Sequence, residues 1–195
     1  MTCSRSTTPS PDHGQTLKTS SLAMALALCV AWATQAGAAS WERLDKEVRQ
    51  AIHNFYATVP AARELASEAA GMLVFPGVVA GGLVVGGEYG EGALIVGGRT
   101  VDYYNTASAS LGLTVGAQMK TQVLLFMSAR SLAQFRASRG WEIGVDGEVA
   151  LARPGAEDTL DRDTLQEPII AFVFSNKGLM YNLSLEGSKF TRFEQ

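Results

Sequence analysis

The stretch GMLVFPGVVAGGLVVGGEYGEGALIVGG, residues 71–98, decides how this chain folds. Short apolar runs alternate in it with ten glycines, and apolar runs bounded by turn residues predict β-strands. The predicted strand pieces are Met72–Phe75, Val78–Ala80, Leu83–Val85 and Ala93–Val96. We expect Pro76-Gly77 to break the first of these. Gly86-Gly87 and Gly97-Gly98 are expected to form hairpin turns, since glycine adopts the positive φ angles of tight turns.

The strand pattern continues towards the C-terminus. The predicted strands there are Leu111–Val115, Gln122–Met127, Trp141–Val145, Glu148–Leu151, Pro168–Ser175 and Leu179–Leu185. Gln122–Met127 is apolar on both faces, which predicts a central strand. Asp146-Gly147 and the turn residues 176–178 are expected to close two hairpins, whereas the polar, acidic segment 153–167 predicts a loop.

Helical patterns surround and interrupt these strands. Trp41–Ala57 carries one apolar stripe at spacings of three and four residues, formed by Trp41, Leu44, Val48, Ile52 and Phe55. Pro60 suits the first turn of a second helix that extends to about Ala70.

A short inserted helix contains Leu132 and Phe135, with Ser128 or Ser131 as its N-cap. The predicted class is α+β: two N-terminal helices, then a glycine-rich, mainly antiparallel β-sheet with one short helix inserted.

The N-terminus has the pattern of an export signal. An uncharged apolar run, Leu22–Ala33, is followed by Ala36-Gly37-Ala38, which fits the small-x-small rule for signal peptidase. We therefore predict a signal peptide over residues 1–38, a mature domain over 39–195, and a periplasmic or envelope-associated location. Two alternatives stay open: an uncleaved N-terminal anchor, and acylation at Cys29, although Leu28 before it is larger than lipoprotein processing prefers.

Charge and residue types exclude several function classes. Removing residues 1–38 takes away Arg5, Lys18 and Asp12, which changes the net charge from −3 to −4 and argues against nucleic acid as a partner. The remaining sequence has one histidine, His53, expected on the surface of the first helix, and no cysteine, G-x-S-x-G elbow or P-loop. The acidic run 157–167 lacks the ligand spacing and glycine of an EF-hand. We predict no catalytic residues, no metal and no cofactor.

A set of ordered segments carries a family resemblance. The segments are Ala70–Pro76, the glycine-rich run ending at Gly97-Gly98, Leu111–Gln118, Val123–Met127, Gly144–Ala150 and Ala171–Ser188. Together they resemble the SYLF domain family, whose founding members include a yeast actin-patch protein. The resemblance covers nearly all of residues 39–195 and implies a non-enzymatic module that binds phospholipid surfaces.

The resemblance also implies where lipid is bound. Eukaryotic members use a basic N-terminal amphipathic helix, which here indicates Arg43, Lys46 and Arg49 on the first helix and Arg63 on the next. Some members bind actin, but an exported protein meets no cytoplasmic actin, so we do not predict it as a partner. Acidic residues interleave with these cations, so the expected binding is weak and salt-sensitive.

Two questions stay open from the sequence. The apolar stripe of the first helix either lies in a lipid headgroup layer or packs on the sheet. The function is either lipid binding or that of an envelope structural or protein-interaction module that pairs through exposed strand edges. The oligomeric state is not predicted.

Overall fold

A computed structural model of the chain describes residues 40–82, 85–111, 118–152, 164, 166–175, 178–180 and 185–193. The chain divides into two compact units, Met1–Glu42 and Arg43–Gln195. The first unit contributes residues 40–42 to the described part, where they form the first turn of a helix. The architecture below is that of the second unit.

In the described part of the chain two helices precede the strands, and a third helix lies between the fourth and fifth strands. Helix α1 spans residues 40–58 and ends two residues before Pro60, as expected from the steric restriction that proline places on the residue before it. Helices α2 and α3 span Ala62–Glu68 and Ala129–Ala137. The strands are β1 Gly71–Gly82, β2 Val85–Val96, β3 Arg99–Leu111, β4 Gln118–Phe126, β5 Gly140–Glu142, β6 Ala150–Leu151, β7 Ile169–Ser175, β8 Gly178–Met180 and β9 Lys189–Arg192.

The described strands form one sheet in the order β5-β9-β3-β2-β1-β4-β7-β6, with β8 paired to β7. Each strand pair is antiparallel except β6 with β7, which is parallel. The α+β class is therefore confirmed, with helices preceding a mainly antiparallel sheet. The central position predicted for Gln122–Met127 is confirmed too, because β4 lies between β1 and β7.

Strand β1 corrects the expectation of a break at Pro76-Gly77. The strand continues through these residues, and its register with β4 shifts between Phe75 and Val78 instead. Such a shift is a bulge, which absorbs an extra residue without ending the strand. The proline therefore marks a bend in a twelve-residue strand rather than its end.

The glycine pairs of the first hairpins differ in their roles. Gly97 and Gly98 have φ angles of +58° and +77° and join β2 to β3, which confirms the predicted turn. The turn predicted at Gly86-Gly87 is wrong, because both residues lie inside β2 and pair with β1 and β3. The segment between β1 and β2, residues 83–84, lies outside the described residues, as does most of the predicted strand Leu111–Val115.

The two predicted C-terminal hairpins have opposite outcomes. Ser175 pairs with Gly178, so the β7–β8 hairpin is confirmed. The hairpin predicted at Asp146-Gly147 is wrong: a tight turn forms, but β5 pairs with β9 and β6 pairs with β7. A local turn signal does not specify which strands pair, and strand β9 was not predicted.

The sheet is covered on both faces. On one face, Phe55 of α1 packs on Phe172 and Phe174 of β7, with ring centroids 4.9 and 6.1 Å apart. On the other face, Phe135 of α3 contacts Phe126 of β4 at 4.9 Å, within a large aromatic and aliphatic cluster. Ser128 caps α3 by accepting a hydrogen bond from the Ser131 amide at 3.1 Å, which confirms the first of the two predicted caps.

Candidate functional site

Helix α1 lies across the strands and covers only part of its face of the sheet. Near its start, Asp45 accepts a hydrogen bond from Thr100 of β3 at 3.0 Å, and near its end Phe55 packs on β7. The helix rises about 15 Å over the ten residues from Asp45 to Phe55. The four strand spacings from β3 to β7 measure about 19 Å, so the helix crosses these strands rather than running along one of them. The ends of β1, β2 and β4 on one side of this crossing are left uncovered.

The uncovered strand ends carry a row of exposed apolar side chains. Val79 on β1 pairs with Tyr89 on β2 and with Met119 on β4, so the three side chains stand side by side. Their exposed fractions are 46%, 51% and 69%. Isolated apolar residues on a surface are common, whereas three in register on neighbouring strands make a patch. We call Val79, Tyr89 and Met119 the exposed row.

Two grooves separate the exposed row from α1. The first, of about 580 Å³, lies between Arg43, Leu44 and Glu47 of α1 and the part of β1 and β2 that carries Val79 and Tyr89. The second, of about 750 Å³, lies between the later turns of α1 and the part of β4 that carries Met119. Both volumes fall in the range of about 300–1,000 Å³ that is typical of small-ligand sites.

The floor of the first groove is low because glycines line it, and two of them, Gly81 and Gly87, have open space where a side chain would be. A Cβ atom at Gly81 would meet no atom within 4 Å, and one at Gly87 would meet only the Ser108 carbonyl oxygen at 3.6 Å. Larger residues at either position would fit the strand and fill the groove. Glycine at these positions therefore keeps the space beside Tyr89 open.

Charged groups of both signs surround the first groove. Arg43 Nε lies 3.6 Å from Glu47 Oε1 on the exposed side of α1. The Tyr89 hydroxyl donates to Glu91 Oε1 at 3.1 Å, and partial burial, this hydrogen bond and the Glu91 charge all raise the pKa of Tyr89. Glu88 precedes Tyr89 on β2 and so points to the other face of the sheet, where its Oε1 lies 2.6 Å from Nζ of Lys120, whose side chain is only 5% exposed.

The four predicted basic residues do not form one patch. Arg43 borders the first groove, and Lys46 is exposed on the outer face of α1. Arg49 lies on the opposite side of α1, near Tyr103, whose pKa is raised by burial and by Asp45 and is lowered by the Arg49 charge. On α2, Arg63 stacks over the Tyr56 ring at 4.7 Å. The structure brings Arg43 next to the exposed row and places the other three elsewhere.

The apolar stripe of α1 is used inside the protein. Leu44, Val48 and Phe55 are 6% exposed or less. Fully burying such side chains stabilises a fold by about 1.5–3 kcal/mol each, so turning them towards lipid would unfold this helix from the sheet. Of the two alternatives for the stripe, packing on the sheet is the one observed for these residues.

The exposed row was not predicted from the sequence. Its residues were recognised as strand residues or left unassigned, since alternation within a strand does not show which face a helix will cover. The only signal was the run of glycines near the strand ends, which keeps the neighbouring surface free of side chains.

The described part of the chain contains neither a metal site nor a membrane-spanning helix. No group of three or more His, Cys, Asp or Glu residues there is placed to hold a metal ion. None of the helices in the described ranges combines the length and the apolar character needed to cross a membrane. His53 is exposed on α1, as predicted. Most of the acidic segment 153–167 lies outside the described residues.

Comparison with family models gives a match over the C-terminal part of the chain. Residues 107–195 match the family model Ysc84, described as "Las17-binding protein actin regulator". The matched segment starts within β3 and extends to the last residue of the chain. No match was found among curated proteins.

Proposed function

We propose that the protein is a non-catalytic module that binds phospholipid membrane surfaces, a proposal supported by the match of residues 107–195 to the Ysc84 family model and by the resemblance to the SYLF family. The protein is exported, with a signal peptide cleaved near Ala38, and acts in the periplasm or at the envelope. The observation that supports lipid binding best is the exposed row, because it offers apolar contact area on a rigid sheet next to a groove with charged walls.

The expected strength of this contact follows from the exposed fractions of the row. Val79 and Tyr89 are about half exposed and Met119 is 69% exposed, so burying the exposed parts of all three in a headgroup layer yields about 2–5 kcal/mol. That is weak, reversible association, comparable to a single lipid anchor. Tyr89 suits the boundary of the layer, since its ring is apolar and its hydroxyl is polar.

The basic residues contribute according to their distance from the row. Arg43 is placed to contact a lipid phosphate, because it borders the groove and its exposed pair with Glu47 is worth about 0–1 kcal/mol. We expect substitution of Arg43 to weaken binding more than substitution of Lys46, Arg49 or Arg63. This ranking tests the lipid-binding role proposed for all four residues.

A flotation assay with vesicles of mixed phosphatidylcholine and phosphatidylglycerol tests the function. Purified protein is first weighed by intact-mass spectrometry, because a retained apolar N-terminus would itself bind lipid. Met119→Asp should reduce flotation severalfold, whereas the matched control Val145→Asp should leave it unchanged, since Val145 is 75% exposed in the turn after β5. Equal effects of the two substitutions, or no flotation of the unmodified protein, would contradict the proposal.

The same mass measurement tests export. A mature chain that begins at residue 39 is the expected result after expression in a bacterium and isolation of the envelope fraction. A mass that corresponds to acylation at Cys29, or to the uncleaved chain, would replace the proposed cleavage with one of the two alternatives.

The rival function is a protein-interaction module, in keeping with the words "Las17-binding" in the family description. An exported protein is separated from cytoplasmic actin and its regulators, so an envelope partner or self-association would take their place. Sedimentation velocity without lipid distinguishes the two: concentration-dependent self-association that Met119→Asp abolishes, together with absent flotation, favours the rival.

A further inference from the structure

We propose that the first groove takes a phospholipid headgroup that carries an ammonium group, as part of a bilayer surface bound through the exposed row. This inference rests on the proposed function and adds the headgroup class to it. It is carried by the Tyr89 ring, the carboxylate beside it and the balance of charge among the groove-lining residues.

The Tyr89 ring is half exposed and lies in the groove next to a carboxylate that it holds in place. Its hydroxyl donates to Glu91 Oε1 at 3.1 Å, so the carboxylate stays close to the ring. An ammonium group is attracted by the face of an aromatic ring and by the charge of a carboxylate. A phosphate is repelled by the ring face, which carries partial negative charge.

The charges that line the groove favour a cation. Among its described lining residues, Arg43 is the one basic side chain, and Glu47 and Glu91 are the carboxylates on the same side of the sheet. Glu88 alternates with Tyr89 along β2 and points to the other face. The Glu88 charge is already compensated by buried Lys120 at 2.6 Å. The remaining charges are one positive and two negative, so the groove as a whole repels a headgroup that is only anionic.

The positions of these charges match a zwitterion. Arg43 and Glu47 lie on the α1 wall, whereas Glu91 lies with Tyr89 on the sheet side. A headgroup phosphate can displace the weak, exposed Glu47 contact of Arg43, while the ammonium group lies over Tyr89 beside Glu91. The glycine floor at Gly81 and Gly87 leaves the space in which the headgroup lies.

Flotation with vesicles of identical acyl chains and graded headgroup composition tests this inference on the full protein. The bound fraction should fall severalfold as phosphatidylglycerol replaces phosphatidylcholine. Tyr89→Leu should lower binding to phosphatidylcholine about two- to fivefold, the value of an exposed cation–π contact. Tyr89→Phe keeps the ring and should lose less.

A charge-matched pair of variants separates a local site from overall repulsion. Glu47→Gln with Glu91→Gln should abolish the preference for phosphatidylcholine. Glu64→Gln with Glu68→Gln removes the same charge from exposed positions on α2 and should leave the preference intact. Equal effects of the two pairs would overturn the inference, because the preference would then come from net charge alone.

The failures of the two proposals differ. Binding that rises with phosphatidylglycerol refutes the headgroup assignment and leaves membrane binding standing. Absence of binding to every vesicle refutes the proposed function and this inference with it. Circular dichroism of each variant confirms that a loss of binding is not a loss of folding.

Discussion

Replacing Gly92 with alanine puts a methyl group into a position that the neighbouring strand already occupies. The added Cβ would overlap the carbonyl oxygen of Val74 and would lie 2.5 Å from Cδ1 of Phe75, whereas ordinary contacts between carbon atoms are about 3.5–4 Å. Both residues belong to β1 at its bulge, and Phe75 is completely buried. The clash therefore involves backbone and core together, and neither can move without disturbing the pairing of β1 with β2.

The cost of this substitution follows from the kind of atoms involved. Overpacking a core costs about 1–3 kcal/mol and more when nothing can shift, so we expect a loss of about 3 kcal/mol in the free energy of unfolding. For a domain of this size the midpoint of thermal unfolding should fall by about 6–12 °C. Gly81→Ala is the matched control: it lies on the same strand pair, meets no atom within 4 Å and should change stability by less than about 0.5 kcal/mol.

Urea unfolding followed by tryptophan fluorescence measures both variants. A loss at Gly92 below about 1 kcal/mol relative to Gly81→Ala would refute the close approach of β1 to β2 at the bulge. A reduced slope of free energy against urea concentration would show instead that the variant no longer unfolds from the same compact state.

Three further predictions concern buried polar groups and a helix cap. Burial, chiefly, and the Asp102 charge raise the pKa of Tyr104 to about 12. Between pH 10 and 12 the unfolded state therefore loses its proton first, and the free energy of unfolding falls as the pH rises. In urea titrations Tyr104→Phe should reduce this fall, and an unchanged dependence of stability on pH would contradict the prediction. Lys120→Met leaves the Glu88 carboxylate without its partner and should lower the free energy of unfolding by about 3 kcal/mol. Adding Glu88→Gln should regain part of this loss. If the losses of the two single variants simply add in the double variant, Lys120 and Glu88 are not coupled. Ser128→Ala should cost about 1 kcal/mol by chemical denaturation while Ser128→Asp restores the cap, and equal stabilities would show that the cap contributes nothing.

The features of the fold that were predicted correctly depend on residues close together in the sequence. Gly97-Gly98 lies in a turn because both residues adopt positive φ, and Ser128 caps α3 because its oxygen reaches an amide three residues on. Gln122–Met127 is central because it is apolar on both faces. Each of these features depends on residues within a few positions of one another.

Features that depend on distant partners were not predictable in the same way. Glycine at Gly90 and Gly92 resembles a turn signal, yet these residues are small because the β1 bulge approaches them closely. Strand β3 was not predicted, because Asp102, Asn105 and its serines are poor strand formers in isolation. Its pairing with β2 and β9 overrides that preference.

The same distinction between local features and features that depend on distant partners applies to the candidate site. Arg43 was predicted because the basic residues of a helix are visible in its sequence. The exposed row was not, because three strands must first come into register and α1 must then leave their ends uncovered. The Tyr89–Glu91 hydrogen bond is local in sequence, but nothing in the sequence marks it as facing a groove.

The strand order has a consequence for any attempt to express residues 107–195 separately from the rest of the chain. Strands β1 and β2 stand between β3 and β4, so the segment from residue 107 onwards lacks the two strands that link its own first and second ones. Expressed by itself, that segment would expose the bare edges of β3 and β4 and would aggregate rather than fold. The unit that folds is therefore the whole sheet, which begins with β1 well before the matched segment.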